Sequence, residues 1–355
     1  MRVVVTGASG NIGTGVLAAL ERDPAVEEVV AVARRAPERP LGGPKVRWAA
    51  ADVARDDLGP VMAGASAVVH LAWILNPSRD RAELRRVNVG GSERVFAAAL
   101  RAGARAIVHA SSIGAYSPGP KDRLVGEDWA TDGIPGFSYS EDKVAVERHL
   151  DALEVAHPDV RFVRMRPALV LKRGAAAHLR RELAGAWLIG RLVAPERLPL
   201  VPRHPRLRTQ IAHTDDVGEA FRQALHAEVR GAFNIVADPV VDGPSFAART
   251  GGRTVPVPML PVRVLHQVAH VLRIVPGEPG WTDETLLSPL VDPARARREL
   301  GWNPVHSSLD ALLETLQGLR DGAGEPTPPL EAHAGGPLRV KEFLSSAGAR
   351  GPLDP

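Results

Sequence analysis

The stretch Val3-Val4-Val5-Thr6-Gly7-Ala8-Ser9-Gly10-Asn11-Ile12-Gly13 decides the fold. Val3-Val4-Val5 is a short β-branched run, and beyond the glycines Ile12, Val16, Leu17 and Leu20 recur at helical spacing. The order is strand, tight turn, helix. Glycines at 7, 10 and 13 let the backbone turn sharply and approach a pyrophosphate, while the helix that follows offers free N–H groups and partial positive charge. In this context the turn, with Ser9, Asn11 and Ile12 beside its glycines, reads as a dinucleotide-binding turn.

Working outward, similar runs follow at Val29–Val32, Val46–Ala49, Ala67–Leu71, Ala106–Ala110 and Phe162–Met165, separated by segments of helical period. The longest helical signals are Arg81–Ala102 and Ser138–His157. Strands that alternate with helices predict an α/β fold with a doubly wound parallel sheet. The rhythm breaks after Pro167. Residues 1–167 are expected to form the first domain, with a segment at about 209–240 returning to it and 168–320 forming a smaller substrate lobe. Two later helices are expected at Val262–Ile274, as core or pocket wall, and around Leu309–Leu319. Residues 321–355, rich in Gly, Pro and Ala, read as a mostly flexible tail with a helical turn or two at Arg339–Ala347.

Composition narrows the chemistry. An apolar share of 45% with 24% charged residues excludes disorder as the main state, and the absence of cysteine excludes disulfides, thiolate metal ligands and thiol nucleophiles. A net charge of +3 without an arginine stripe interleaved with aromatics argues against nucleic-acid binding. The apolar stretches Ala184–Val201 and Val255–Val275 are interrupted by charges and histidines, so no stable membrane insertion is expected; with no leader pattern, the expected location is cytoplasmic. No metal site is expected, because His70 and His213 stand without a second ligand at suitable sequence spacing. Asp215 and Asp216 read as helix caps.

At the tip of the second strand stand Arg34 and Arg35, where NAD-binding sites commonly present an acid to the ribose. An arginine there suits a 2′-phosphate, so NADP is favoured over NAD. Asp52 follows the third strand, placed for an adenine amino group or a cap. Tyr139 and Lys143 lie four residues apart on one helix, so an ammonium beside the phenol favours its ionised form and makes a general acid–base. Lys143 can also reach a cofactor ribose. Ser112, at the end of the fifth strand, suits a substrate oxygen. With two tyrosines and five lysines in 355 residues, this spacing is a specific signal.

The motifs together make the sequence resemble the extended short-chain dehydrogenase/reductase family, also called the NAD-dependent epimerase/dehydratase family, over about residues 1–320. They are the glycine turn, Asp52-Val53, His70-Leu71-Ala72, Asn88-Val89-Gly90-Gly91-Ser92, Ser111-Ser112 with Tyr116, Tyr139-x-x-x-Lys143, Arg166-Pro167, Ile211-Ala212-His213-Thr214-Asp215-Asp216 and Leu300-Gly301-Trp302-x-Pro304. The resemblance implies a Rossmann-type domain, a homodimer, Tyr139 as acid–base, Lys143 on the nicotinamide ribose and Ser112 on the substrate oxygen. It also extends the cofactor site to Val53, Leu71, Ala72, Asn88, Ala110, Ser111, Pro167 and Leu169, and places Trp73, Ile74, Tyr116 and Leu169 beside the substrate.

Arg166-Pro167 runs into Ala168-Leu169-Val170-Leu171, without the asparagine that contacts the diphosphate in many nucleotide-sugar members. The leading expectation is therefore an NAD(P)-dependent oxidoreductase that interconverts a secondary alcohol and a carbonyl on a small, partly apolar substrate, with the 262–274 helix as a lid. The alternatives are a nucleotide-sugar epimerase or dehydratase holding NAD, and a catalytically inactive cofactor sensor. The arginines of Lys172–Arg208, namely 173, 180, 181, 191, 197, 203, 206 and 208, separate the first two readings by their direction.

Overall fold

The computed structural model of the chain describes residues 1–39, 41–75, 80–181, 198–272 and 277–332. Seven strands form one parallel sheet: β1 Arg2–Thr6, β2 Glu28–Ala33, β3 Val46–Ala50, β4 Ala67–His70, β5 Ala106–Ala110, β6 Arg161–Pro167 and β7 Gly231–Ile235. Their spatial order is β7-β6-β5-β4-β1-β2-β3, so the winding reverses between β1 and β4, where Val3 faces Val29 on one side and Ala67 on the other. Ligands of such sheets bind outside the carboxyl ends of the strands at this reversal. Val3, Val4 and Val5 are fully buried, as a central parallel strand covered on both faces requires.

The helix Asn11–Glu21 leaves the glycine turn and crosses the helix Thr214–His226 at backbone contact. A Cβ on Gly218 would lie 2.4 Å from the carbonyl of Gly15, and one on Gly15 would lie 2.5 Å from the Thr214 carbonyl oxygen. The returning segment thus supplies both β7 and a helix that fixes the first one.

The Arg81–Ala102 signal resolves into helices Arg81–Arg85 and Gly91–Arg101 joined by a π-helical turn, Arg86–Gly90. Short strand pairs build the remainder: Leu169–Leu171 with Ile211–His213, Leu200–Arg203 with Arg253–Pro256, Arg208–Thr209 with Val241–Asp242, and Leu124–Val125 with Leu290–Val291.

Two expectations are corrected. The helix at Met259–Val271 buries none of its residues: Arg263 and His266 face the neighbouring helix Gly280–Leu287, bonding Asp283 and Thr282, while Leu260, Val264, Leu265, Val268 and Val271 are exposed. It is neither core nor pocket wall. The stretch after Asp321 is packed as far as it is described, with Leu330 and Thr327 buried and Glu325 paired to Lys172 at 2.5 Å. The expected turn at 339–347 lies outside the described residues.

Gly218→Val is expected to destabilise the protein by roughly 1–3 kcal/mol, since backbone stands where its side chain must go; urea denaturation measures it.

Candidate active site

Gly7 has φ +71°, and a Cβ there would lie 2.6 Å from the backbone of Leu71 and Ala72. A Cβ on Gly13 would lie 2.5 Å from the carbonyl oxygens of Gly7 and Ala8. The turn is thus closed tightly against the end of β4. No side chain caps the helix Asn11–Glu21 and no acid stands in its first turn, which leaves its N-terminus suited to an anion. These features fit the diphosphate of a dinucleotide. Ser9, Gly10 and Ile12 are partly exposed here. The Asn11 side chain is committed elsewhere, donating to the Val170 carbonyl at 2.9 Å and accepting from Thr214 at 2.7 Å, so its backbone alone faces a ligand.

Arg34 and Arg35 are exposed at the tip of β2. Arg34 acts on Glu83, which Arg86 holds through hydrogen bonds of 2.6 and 2.7 Å. Asp52 accepts from the Ala54 N–H at 2.9 Å and lies 3.9 Å from Arg55, with Val53 buried beneath. Leu71, Ala72 and Trp73 are partly exposed after β4, whereas Ile74 is buried against Leu84 and Val87. Asn88, in the π-helical turn, is buried and clasps the Ile74 backbone, accepting at 2.8 Å and donating at 3.2 Å.

The helix Ser138–Ala156 carries Tyr139, Lys143 and Glu147 at intervals of four. Lys143 Nζ donates to the Ala110 carbonyl at 2.8 Å and sits 3.4 Å above the Trp73 ring. Burial pulls the Lys143 ammonium down to about 7, against Glu147, Asp142 and Glu284, which hold it up. Burial and then the charge of Glu284 push the Tyr139 phenol above its ordinary value, while a hydrogen bond with Ser112 works the other way. The Ser112 hydroxyl also accepts from the Gly114 N–H at 3.0 Å. Ser112, Tyr139, Lys143 and Trp73 therefore meet at the carboxyl edge of the sheet, in the arrangement an acid–base pair with a polarising hydroxyl requires.

Glu147 locks the arrangement. It accepts from Arg166 at 2.8 and 2.9 Å and from Ser111 at 2.5 Å, and it is only 2% exposed. Arg166 donates in turn to the Tyr116 hydroxyl at 2.9 Å, and that hydroxyl donates to Asn234 at 2.8 Å. Tyr116 is fully buried and does not face the pocket, which corrects its substrate assignment. Pro167 is buried, and Leu169 is exposed beyond it.

Three residues absent from the sequence reading stand against Tyr139: Phe137, at the start of its own helix, and Trp281 and Glu284 from the helix Gly280–Leu287. Trp281 packs on Tyr139 with centroids 5.2 Å apart, and Phe137 lies 5.6 Å from Tyr139. Glu284 reaches Gly114, where a Cβ would meet its Oε1 at 2.4 Å and the Tyr139 ring at 3.1 Å. Burial pushes the Glu284 carboxyl up to about 7, opposed by Lys121 and Lys143. Nothing in the spacing of residues 280–287 links them to Tyr139.

Beyond Glu284 opens a cleft of ≈ 560 Å³ lined by Lys121, Arg206 and Arg208 together with Asp122 and Asp242. Arg206 also donates to the Leu286 carbonyl at 2.8 Å, which ties the cleft to the Glu284 helix. Of the other arginines in the sequence argument, Arg173 pairs with Asp321 and Arg181 donates to the carbonyls of Pro329 and Glu331, while 191 and 197 lie outside the described residues.

His70 is fully buried between Thr6 at 2.6 Å and Ser92 at 2.9 Å, and burial followed by the Lys143 charge pulls it down to about 3, so it is neutral. His213 is not isolated, since His306 stacks on it at 3.9 Å. No metal-holding cluster occurs among the described residues. The cap of the following helix is His213, which accepts from the Asp215 N–H; Asp216 instead binds the N–H groups of Val305 and His306.

Comparison with known proteins matches residues 3–235 to the model of the NAD dependent epimerase/dehydratase family. The chain belongs to that family, and with it to the NAD-dependent enzymes of the extended short-chain dehydrogenase/reductase type. It is 28% identical over 331 residues to an uncharacterized protein of Mycobacterium tuberculosis, covering 89% of this chain and 83% of that one. It is 25% identical over 333 residues to a UDP-glucose 4-epimerase of Mycolicibacterium smegmatis, covering 90% and 99%. The fold matches the structure of MoeE5 in complex with UDP-glucuronic acid and NAD, at a TM-score of 0.65 and 21% identity over 90% of this chain and 99% of that one. No helix among the described residues is long and apolar enough to cross a membrane.

Glu147→Ala is expected to cost about 3–5 kcal/mol by leaving buried arginine charge without its partner. Burial raises the Glu147 carboxyl, but Arg166, Ser111 and Arg164 outweigh it and hold it below its ordinary value. The folded state therefore binds fewer protons than the unfolded state near that value. The contribution is present above it and lost as pH falls through the lowered one. Urea midpoints from neutral pH downward should show the wild type losing stability more steeply than the variant.

Proposed function

We propose that the protein oxidises a secondary hydroxyl of a nucleotide-linked sugar and returns the hydride to the same sugar, to the carbonyl as an epimerase does or to the alkene left by loss of water as a dehydratase does. The observation that carries this reading is the cleft lined by Lys121, Arg206 and Arg208, which Arg206 ties to the Glu284 helix through the Leu286 carbonyl and whose Lys121 acts on Glu284. A diphosphate needs cations, and two of those lining the cleft, Arg206 and Arg208, come from the arginine stretch that separates the sugar reading from the apolar one; they also donate to the carbonyls of Leu286, Gly119 and Lys121. The apolar reading rested on the missing asparagine after Arg166-Pro167 and on an apolar helix expected at 262–274; the helix observed at Met259–Val271 buries none of its residues.

The nicotinamide dinucleotide supplies the two-electron acceptor and donor when bound. Tyr139 takes the hydroxyl proton as the carbinol is oxidised and returns it on reduction. Ser112 donates to the same oxygen, and Lys143 stabilises the phenolate while reaching the cofactor ribose. Trp73 and Trp281 wall the site against water. At the adenine end, Arg34, Arg35, Arg55 and Arg86 outnumber Glu83 and Asp52, which supports a 2′-phosphate and hence NADP; the NAD named with MoeE5 supports NAD. A homodimer in the cytoplasm is proposed on the family resemblance.

Tyr139→Phe is expected to keep the fold and cofactor affinity but lower turnover by on the order of 10²–10⁴, because only the ionisable hydroxyl is removed. Incubation with UDP-glucose and cofactor, followed by sugar analysis and absorbance at the reduced-nicotinamide band, tests the reaction: a changed sugar without accumulated reduced cofactor supports it, and accumulation of reduced cofactor with an oxidised product returns the reading to a dehydrogenase. Arg34→Asp should weaken NADP relative to NAD by roughly tenfold or more, since a charge pair becomes a repulsion. Titration of both cofactors measures this, and tighter NAD binding by the wild type would assign NAD.

A further inference from the structure

Glu284 stands apart from every group the reaction uses. It projects from the helix Gly280–Leu287 towards Gly114, where a Cβ would lie 2.4 Å from its Oε1, 3.1 Å from the Tyr139 ring and 3.3 Å from Ser112 Oγ. Among the described residues no hydrogen-bond donor reaches its carboxyl group, and its charge is answered at a distance by Lys121 and Lys143. Its neighbour Tyr139 must become anionic to act as a base, which an anionic Glu284 opposes. A carboxylate without a donor, half-buried beside an acid–base tyrosine, is costly unless a ligand supplies the missing hydrogen bond.

We propose that Glu284 is the substrate-reading residue of this site: it accepts a hydrogen bond from a hydroxyl of the bound sugar and excludes a sugar that presents a carboxylate there. The substrate class is then a nucleotide-linked neutral sugar, not a uronate. This rests on the nucleotide-sugar reading above. Selection works from both directions, since the neutral sugar gives Glu284 its donor and the uronate adds a like charge in a poorly solvated pocket. The other charged and titratable groups facing Glu284 are Lys121, Lys143 and Tyr139.

The experiment is isothermal titration of UDP-glucose and UDP-glucuronate into the cofactor-loaded full chain, as wild type and as Glu284→Gln, at pH 8 and pH 6. The wild type should bind UDP-glucose at least tenfold tighter than UDP-glucuronate at pH 8, with a smaller ratio at pH 6, where Glu284 takes up a proton. In Glu284→Gln the ratio should fall at least tenfold at pH 8, through a gain for the uronate, and lose its pH dependence. Glu284→Asp, which keeps the charge, should retain the preference and guards against a folding effect of the amide. An unchanged ratio in Glu284→Gln, or a wild type that favours the uronate, overturns the inference while leaving the nucleotide-sugar reading in place. Binding of neither ligand overturns the nucleotide-sugar reading, and the inference falls with it.

Discussion

The buried ion pair between Glu147 and Arg166 fixes the helix that carries the proposed acid–base pair. Glu147 sits one helical turn beyond Lys143, which sits one turn beyond Tyr139, so fixing the carboxylate fixes the height and rotation of the whole face. Arg166 belongs to β6, Ser111 to the loop leaving β5, and Asn234 to β7; through Tyr116 the same network joins them. A charge removed from water at this depth is worthwhile only when nearly all its hydrogen-bonding positions are filled, as here. Specific placement of the acid–base helix is what the network provides.

The reaction centre itself is held in electrostatic opposition. Lys143 is pulled towards neutrality by burial, while Tyr139 is pushed away from ionisation and Glu284 towards protonation. None of these groups is at ease alone. On the function proposed here, each would be relieved by charge or hydrogen bonding of a kind that a dinucleotide and a polyhydroxylated substrate bring, which would link binding to activation through the same contacts.

What could be read from the sequence was local. The glycine turn and the Tyr139-x-x-x-Lys143 spacing are complete within a few residues; the turn leaves β1 beside the sheet reversal, and Lys143 reaches the end of β5. Tyr116 was misplaced because its hydroxyl is claimed by Arg166 and Asn234, the latter 118 residues away. Trp281 and Glu284 were invisible for the same reason, since they reach Tyr139 across some 140 residues of chain with no local pattern to mark them. The helix at Met259–Val271 misled in a different way: its period is that of a buried helix, but its polar edge, through Arg263 and His266, is the side that bonds inward. Periodicity shows that a helix has two faces and leaves open which one the protein keeps.

The backbone contact between Gly15 and Gly218 has a consequence for how the molecule can be divided. Cutting the chain after Pro167 looks natural from the sequence, because the strand rhythm stops there. Such a fragment would lack β7, leaving β6 as a raw sheet edge, and would lack the helix against which Asn11–Glu21 is seated. The nucleotide-binding half is therefore not an autonomous module that can be excised, swapped or fused by linear truncation. Its minimal unit is discontinuous, and anything inserted between residues 168 and 208 must let the chain come back.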